Sequence, residues 1–433
     1  MLSSIKLSLA CLICILVQLW ITSYAQAQAP VEDFLANQIV FSKQQFTSHD
    51  ALLVTNSFGD IVYQWQGDKA LIPASLTKLL TANLAIKKWG LDHRFVTEFH
   101  IVENQLWVKG FGDPYLVSQE LDLIAAQIVQ LLSSTGSEIE SIHIDSSAIA
   151  REPVPGRTQA VDPYNAPLSA VAANFNTVML QRISGSLVSA EPQTPLTATA
   201  KDVANKRTKT IGAKPSRINL IDPNRAQQHF AQLLSIKLDL YQDAKPSVPV
   251  KKLFINQMLP SQTRLLLRYQ NSKTLADVLR GALEYSNNFI ANQLYLLLAQ
   301  DETDEQLNFA KSDAYVKQKL AGMYAKPQPR IDDGAGLARS NRVSARQLNQ
   351  VLTELEPYQN LLKRYNLKTP KVSSANSTYA RAKTGTLNGV HSFAGFLTVD
   401  QRHYQFVFMF NRKTPYRYRE QLLQLLADQI VSQ

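Results

Sequence analysis

Ser75 and Lys78 are two side chains whose types and spacing could carry out nucleophilic chemistry together. A hydroxyl and an amine three residues apart lie on one face of a helix, where the amine can take the proton of the hydroxyl. The lysine must be neutral for this role, which requires burial or a cationic neighbour that lowers its pKa. The spacing alone is weak evidence, because a serine at this position can equally cap a helix.

Two further motifs with reactive or polar side chains follow later in the chain. Ser286 and Asn288 flank one residue in a break between two predicted helices, where a short loop can direct a hydroxyl and a carboxamide into a cleft. Lys383, Thr384 and Gly385 open a predicted C-terminal hairpin. A lysine on an exposed strand edge can hold a substrate carboxylate, and a glycine there lets a substrate backbone approach closely.

The periodicity of apolar residues predicts the elements that must position these motifs. Alternating residues predict hairpins, and apolar residues at helical spacing predict amphipathic helices. The last helix is expected to pack on the sheet, because it follows the hairpin directly. The predicted elements are a hairpin at 51–66, helices from Pro73 to Gly90, at 275–285 and at 289–298, a hairpin at 390–399 and 403–410, and a helix at 416–431.

Composition indicates a folded chain with a sizeable core. The 433 residues are 45% hydrophobic and 18% charged, which excludes an intrinsically disordered protein. The length favours two or three domains, or one enzyme domain with insertions. A formal charge of +10 suits an anionic partner such as nucleic acid, acidic polymer or a membrane surface, but it does not decide among them.

The N-terminal residues have the pattern of an export signal. Lys6 precedes an apolar stretch at 7–21, and the small residues Ala25 and Ala27 follow it. We predict cleavage after Ala27, hence a signal peptide at 1–27 and a periplasmic protein. An uncleaved membrane anchor is the alternative, because the apolar run is long for a signal.

The mature chain is predicted to use neither a thiol nor a metal. Cys11 and Cys14 are the only cysteines, and both precede the predicted cleavage site. The seven histidines lack the HxxxH spacing that places two metal ligands on one helix face. We therefore expect no cofactor and no metal site.

The three motifs together resemble those of the serine penicillin-recognising enzymes. Longer stretches make the resemblance closer, and the chain is similar to the D-alanyl-D-alanine carboxypeptidase/endopeptidase family of class C low-molecular-mass penicillin-binding proteins, peptidase family S13. The resemblance spans nearly the whole mature chain. The stretches that carry it are residues 71–82, 93–97, 110–116, 164–169, 333–337 and 382–389.

This resemblance implies an α/β (α+β) fold of the serine β-lactamase and DD-peptidase type, with an antiparallel sheet flanked by helices. The long separation of Ser75 from Ser286 indicates inserted material, which the family supplies as β-rich accessory domains. We predict a first part of the DD-peptidase domain at 28–109, an insert at 110–249 and a second part at 250–433.

The resemblance also implies a role for each motif residue. Ser75 would attack the carbonyl of the penultimate D-Ala while Lys78 takes its proton, and Ser286 would relay a proton to the leaving amine. Asn288 would bind the substrate amide or hold Lys78. The remaining predicted contacts to substrate are a carboxylate site at Lys383 and Thr384, beside Gly385, and oxyanion donors at the backbone N–H groups of Ser75 and Thr386.

The implied ligands are peptidoglycan stem peptides and β-lactams, with no nucleic acid partner. Peripheral association with the membrane or cell wall is compatible with the sequence, and the oligomeric state is not predicted. Arg339 is either a contact for an anionic stem-peptide carboxylate or a solvated surface residue. Two other functions stay open: a serine β-lactamase and a non-catalytic binder of cell-wall polymer. The glutamate of a lactamase has a sequence match at Glu356, but Pro357 beside it indicates a helix end instead.

Overall fold

The structure is a computed structural model that describes residues 46–134, 138–207, 211–241, 250, 252–300, 306–368 and 378–432. The predicted signal peptide lies outside the described residues. Among the helices that are described, none is both long and apolar enough to cross a membrane.

The central element is a six-stranded sheet in which every neighbouring pair is antiparallel. Two strands come from the start of the chain and four from its end, so the sheet joins distant parts of the sequence. The strands, in spatial order, are β11 (Lys363–Asn366), β12 (Thr378–Leu387), β13 (Val390–Val399), β14 (Arg402–Phe410), β1 (Asp50–Asn56) and β2 (Ile61–Trp65).

Helices cover both faces of this sheet because its strands alternate apolar side chains between the two faces. On one face, Leu53, Val407 and Met409 pack against a helical layer. That layer consists of α1 (Thr77–Trp89), α5 (Leu275–Leu283), α6 (Asn288–Leu297), α7 (Phe309–Met323) and α8 (Ala345–Leu355). On the other face, α9 (Tyr418–Val431) buries Leu422, Leu426 and Ile430 against the sheet.

A second sheet has five strands, and in the sequence they lie between α1 and α5 of this helical layer. Its strands, in spatial order, are β10 (Arg264–Gln270), β3 (Val96–Val102), β4 (Gln105–Gly110), β5 (Ser141–Asp145) and β9 (Lys252–Gln257). Strand β3 is antiparallel to both β10 and β4, whereas β4, β5 and β9 run parallel. Two helices, α2 (Ser118–Ser133) and α4 (Pro223–Tyr241), cover one face.

A third, smaller unit completes the inserted region. It is a three-stranded antiparallel sheet with one helix against it. Its elements are β6 (Thr177–Ile183), β7 (Ser186–Ser189), α3 (Ala198–Arg207) and β8 (Ser216–Asn219). The predicted limits of the insert, 110 and 249, fall inside the range of the five-stranded sheet, which begins at Val96 and ends at Gln270. The domain boundaries themselves stay a prediction.

The predicted fold class and most predicted elements are confirmed, with two corrections. Both hairpins, the pair α5 and α6 with its break, and the packing of α9 on the sheet are present. However, α1 begins at Thr77, and Ser75 lies in a single 3-10 turn at Ala74–Leu76 before it. The motif at Lys383 does not open the hairpin: it lies in the second half of the ten-residue strand β12, which pairs with β13.

Candidate active site

Ser75 is presented by a tight turn whose backbone is constrained from two sides. Ala74, which precedes it, has a φ of 50°, a conformation that costs a non-glycine residue free energy. The Thr77 hydroxyl donates to the Ala74 carbonyl at 2.9 Å. Gly336 packs so closely against that carbonyl that a Cβ added to it would lie 1.9 Å from the oxygen. The surrounding contacts therefore hold the turn in its strained conformation.

Lys78 makes three hydrogen bonds inside the fold, one of them to the candidate nucleophile. Its Nζ lies 3.0 Å from Ser75 Oγ, 2.7 Å from Asn288 Oδ1 and 2.9 Å from the Ala335 carbonyl. The side chain is buried. Burial lowers the pKa of the Lys78 amine well below its ordinary value, the charge of Lys383 lowers it further, and Asp333 acts in the opposite direction.

Asp333 organises the loop that supplies the Ala335 carbonyl to Lys78. Its carboxylate is fully buried and accepts backbone N–H groups of Ala335, Leu337 and Ala338 at 2.9 to 3.1 Å. The Asn341 carboxamide donates to it at 2.8 Å. This buried anion fixes the loop and places a negative charge near the Lys78 amine.

Ser286 and Lys383 form a second serine–lysine pair. Ser286 has a φ of 57° in the break between α5 and α6, and its Oγ accepts from Lys383 Nζ at 2.8 Å. Lys383 also donates to the Thr384 carbonyl at 2.8 Å. Burial lowers the pKa of Lys383 to about 7, and the positive charge of Arg419 contributes to this shift. Near neutral pH the Lys383 amine can therefore exist in either protonation state.

Asn288 connects the base to the wall of the cleft. It is the first residue of α6, and its Oδ1 accepts from Lys78. Its Nδ2 donates to the Tyr164 carbonyl at 3.1 Å. Because both ends of the carboxamide are engaged, its orientation is set, and its oxygen faces the amine.

The segment from Lys383 to Thr386 lies on an open strand edge. Strand β11 pairs with β12 only from Tyr379 to Ala382, and no other described strand pairs with the remaining residues on that side. At Gly385, an added Cβ would lie 3.0 Å from the Ser75 backbone nitrogen. Glycine thus allows this edge to approach the nucleophile, and the edge, which no described strand pairs with beyond Ala382, can pair with an extended peptide.

The structure brings the predicted residues of the three motifs into one place. Ser75, Lys78 and Asn288 form one hydrogen-bonded group, and Lys383 with Ser286 forms the other. The side chain of Thr384 hydrogen-bonds with Tyr365. The roles of all these residues, the carboxylate-binding role of Thr384 among them, stay predictions.

Arg339 and Glu356, the two secondary candidates, belong to neither of these hydrogen-bonded groups. Arg339 is exposed and donates to the Asn388 carbonyl at 2.9 Å. Glu356 follows α8 immediately and lines a separate cavity together with Thr55 and His403. The residues that line this cavity do not include Ser75. The position of Glu356 therefore gives no support to a role as a lactamase base.

Three further groups contact residues of the site but were not predicted from the sequence. They are the Ala335 carbonyl, the Ser392 hydroxyl and the Arg419 guanidinium. Ser392 Oγ donates to the Pro73 carbonyl at 2.7 Å. The turn Asn388-Gly389 favours a two-residue hairpin and could have predicted that Ser392 lies opposite Gly385. No sequence signal marks Arg419.

The arrangement suits acyl transfer to a serine from a substrate that carries a negative charge. One lysine can accept the serine proton, while the other lysine and an open strand edge can bind an anionic peptide end. Within the described ranges, no group of three or more histidine, cysteine or acidic side chains could hold a metal ion.

Comparison with known sequences gives matches across most of the chain. The profile of the D-Ala-D-Ala carboxypeptidase 3 (S13) family matches residues 47–231 and 188–429. A D-alanyl-D-alanine carboxypeptidase from Actinomadura sp. (strain R39) is 24% identical over 402 residues, covering 80% of this chain and 74% of the relative. The D-alanyl-D-alanine carboxypeptidase DacB from Haemophilus influenzae is 27% identical over 154 residues, or 32% of each chain.

Comparison with solved structures supports the fold. The crystal structure of penicillin binding protein 4 (dacB) from Haemophilus influenzae is similar with a TM-score of 0.66 and 20% sequence identity. The similarity covers 90% of this chain and 98% of that one, so it includes the inserted region. At this identity the likeness concerns the fold alone.

Proposed function

Because the chain belongs to the D-Ala-D-Ala carboxypeptidase 3 (S13) family, and is thus a serine-type D-Ala-D-Ala carboxypeptidase, we propose that Ser75 is the nucleophile of its reaction. The family match confirms the family predicted from the sequence. The observation that carries the proposal is the Lys78 amine, buried and 3.0 Å from Ser75 Oγ, with a pKa lowered by its surroundings. A neutral amine at that distance can act as a general base.

In the first half of the reaction, Lys78 accepts the proton of Ser75 as the oxygen attacks the penultimate D-Ala carbonyl. The new C–O bond gives a tetrahedral oxyanion, which the backbone N–H groups of Ser75 and Thr386 stabilise. The C–N bond then breaks, and Ser286 passes a proton to the leaving amine of the terminal D-Ala. Lys383, bonded to Ser286 at 2.8 Å, keeps that hydroxyl oriented and attracts the terminal carboxylate.

In the second half, water hydrolyses the ester at Ser75. The proton that Lys78 gained restores the Ser286 hydroxyl, so the Lys78 amine is neutral again. It then accepts a proton from the attacking water and returns it to Ser75 Oγ as the ester C–O bond breaks. A β-lactam carries a carboxylate and a strained amide, so it enters the same steps up to the ester. We therefore propose that penicillins acylate Ser75.

Labelling with a fluorescent penicillin tests the nucleophile. Wild-type protein is expected to bind one label per chain, and Ser75→Ala is expected to bind none. Ser57→Ala, which changes an exposed serine in the β1–β2 turn, serves as the matched control and should label as the wild type does. Labelling of Ser75→Ala at the wild-type level, or a wild type that takes up no label, would contradict the proposal.

Two activities on the natural polymer require separate measurement, because both begin with the same acylation. Purified muropeptides are digested with the mature protein, and the products are weighed by mass spectrometry. Loss of one alanine identifies carboxypeptidase action, and division of cross-linked dimers identifies endopeptidase action. Rapid turnover of a chromogenic cephalosporin would instead favour the β-lactamase alternative.

We further propose that the protein is exported to the periplasm. The support is the single lysine, apolar run and Ala25-Gln26-Ala27 pattern at the start of the sequence. After expression in a bacterium with two membranes, osmotic release followed by intact-mass measurement is expected to give a chain that begins at Gln28. Recovery of the full-length chain in the membrane fraction would contradict cleavage.

A further inference from the structure

Arg419 on the C-terminal helix makes a set of contacts that the proposed mechanism does not use. Its Nη1 donates to the Gly385 carbonyl at 2.8 Å, to the Thr386 hydroxyl at 3.1 Å and to the Ser392 carbonyl at 3.2 Å. Its Nε donates to Glu420 at 3.0 Å. The side chain is only 18% exposed. Four contacts therefore hold the Arg419 guanidinium in a fixed position, where it donates to strand β12, the strand that borders Ser75.

The Gly385 carbonyl shares a peptide plane with the Thr386 N–H. In a planar trans peptide these two groups point in opposite directions, so fixing the carbonyl also fixes the direction of the N–H. Ser75 N lies close to Gly385, and the turn that carries Ser75 packs on the face of the sheet opposite to α9. Holding this peptide therefore sets where the second oxyanion donor points relative to the first.

The same guanidinium also fixes the strand that anchors the nucleophile turn. The guanidinium donates to the Ser392 carbonyl, and the Ser392 hydroxyl in turn donates to the Pro73 carbonyl at 2.7 Å. Pro73 lies two residues before Ser75. A single network thus runs from Arg419 to the peptide that carries the Thr386 N–H and to Pro73, two residues before the Ser75 N–H.

We infer that Arg419 is a positioning residue for the oxyanion hole: it holds the Gly385–Thr386 peptide and the Ser392 link to the nucleophile turn in the arrangement that stabilises the tetrahedral intermediate. The inference rests on the proposed function. A charged donor on a carbonyl also polarises that peptide, which strengthens its N–H as a donor. The charge of Arg419 acts on Lys383 as well, because it contributes to the lowered pKa of that amine.

The test compares Arg419→Gln and Arg419→Lys with Arg417→Gln. Arg417 is exposed and lies two residues earlier in the sequence, so its variant removes the same charge without touching the network. Loss of a direct oxyanion donor slows reactions about 100- to 1000-fold. For loss of the group that holds the donor, we expect Arg419→Gln to lower the acylation rate constant by about 10- to 50-fold, with the dissociation constant of the penicillin changed less than about threefold.

Arg419→Lys keeps the charge but loses the forked geometry, so a reduction of about 5- to 10-fold in acylation is expected. Arg417→Gln should match the wild type. A boronic acid that forms a tetrahedral adduct with the serine provides the second readout. Its affinity should fall in proportion to the acylation rate constant across the three variants, since both depend on the oxyanion hole.

Three results would overturn the inference. The first is acylation of Arg419→Gln within about twofold of the wild type. The second is a change confined to the dissociation constant, with boronate affinity unaffected. The third applies if Arg419→Gln does not fold: the inference then fails if Arg419→Lys is acylated at the wild-type rate. A wild type that no penicillin labels would instead refute the proposed function, so the two failures are distinguishable.

Discussion

Replacing Lys383 by methionine is expected to stabilise the protein while impairing its reaction. The amine is almost completely buried, and its pKa falls from 10.5 to about 7. Because the folded-state pKa lies below that of the unfolded chain, the unfolded chain binds a proton that the folded chain lacks between these values. Stability therefore rises with pH across that interval, and the full penalty is present below the folded-state pKa.

The size of the effect follows from the pKa values. Each tenfold change in an ionisation constant corresponds to about 1.4 kcal/mol, so the penalty below pH 7 is about 5 kcal/mol. Loss of the hydrogen bonds to Ser286 and to the Thr384 carbonyl offsets part of the gain, at about 1 to 3 kcal/mol for each group left without a partner. We expect Lys383→Met to raise the free energy of unfolding by about 2 kcal/mol at acidic pH.

Urea unfolding at about pH 6 and about pH 9 measures this difference. In the wild type, Lys383 alone should add about 2 to 3 kcal/mol on going from the lower to the higher pH, and the variant should lack that increment. Lys413→Met, at an exposed lysine, is the control and should retain it. A Lys383→Met protein that is less stable than the wild type near pH 6, or that retains the wild-type pH dependence, would refute the reasoning.

Three other substitutions test single contacts. Gly336→Ala should lower the free energy of unfolding by about 2 to 4 kcal/mol and slow penicillin acylation, because its Cβ meets the carbonyl before the nucleophile, whereas Gly322→Ala in open space should not. Ser392→Ala should slow acylation about 5- to 20-fold in stopped-flow labelling, with a stability loss of about 1 to 3 kcal/mol. Glu120→Gln should cost about 1 to 3 kcal/mol in urea unfolding, because the buried carboxylate accepts from Tyr269, but acylation should be unchanged within about twofold.

The elements around the site could be predicted because each has a local signal. Apolar spacing at 76–84 predicted α1, and the polar break at Ser286 predicted that two helices meet there. The predicted position of Lys383 at the start of a hairpin was wrong because Ala380, Ala382 and Gly385 lack the β-branched or aromatic side chains that mark a strand in a sequence. Strand length there is set by pairing with β13, which is a property of the sheet and not of those ten residues.

The contacts that could not be predicted join segments far apart in the sequence. Arg419 is one of several arginines on exposed or half-buried helical positions, and its residue type does not distinguish it from the others. Only the packing of α9 on the sheet brings its guanidinium to the Gly385 carbonyl. The same holds for the loop at Asp333, where the motif was visible but its carbonyl at Ala335 became a lysine ligand only through the fold.

The strain at the site indicates that its geometry depends on several elements at once. Ala74 and Ser286 both have positive φ, and each such residue costs about 1 to 3 kcal/mol and persists only because its surroundings hold it in place. Different elements hold them: Gly336 closes on the first residue, and Lys383 binds the second. Releasing either contact would let that residue relax toward a commoner conformation and would move one serine away from its lysine. Changes in the loop, the helical break or strand β12 should therefore each slow acylation, although none of these segments carries the nucleophile.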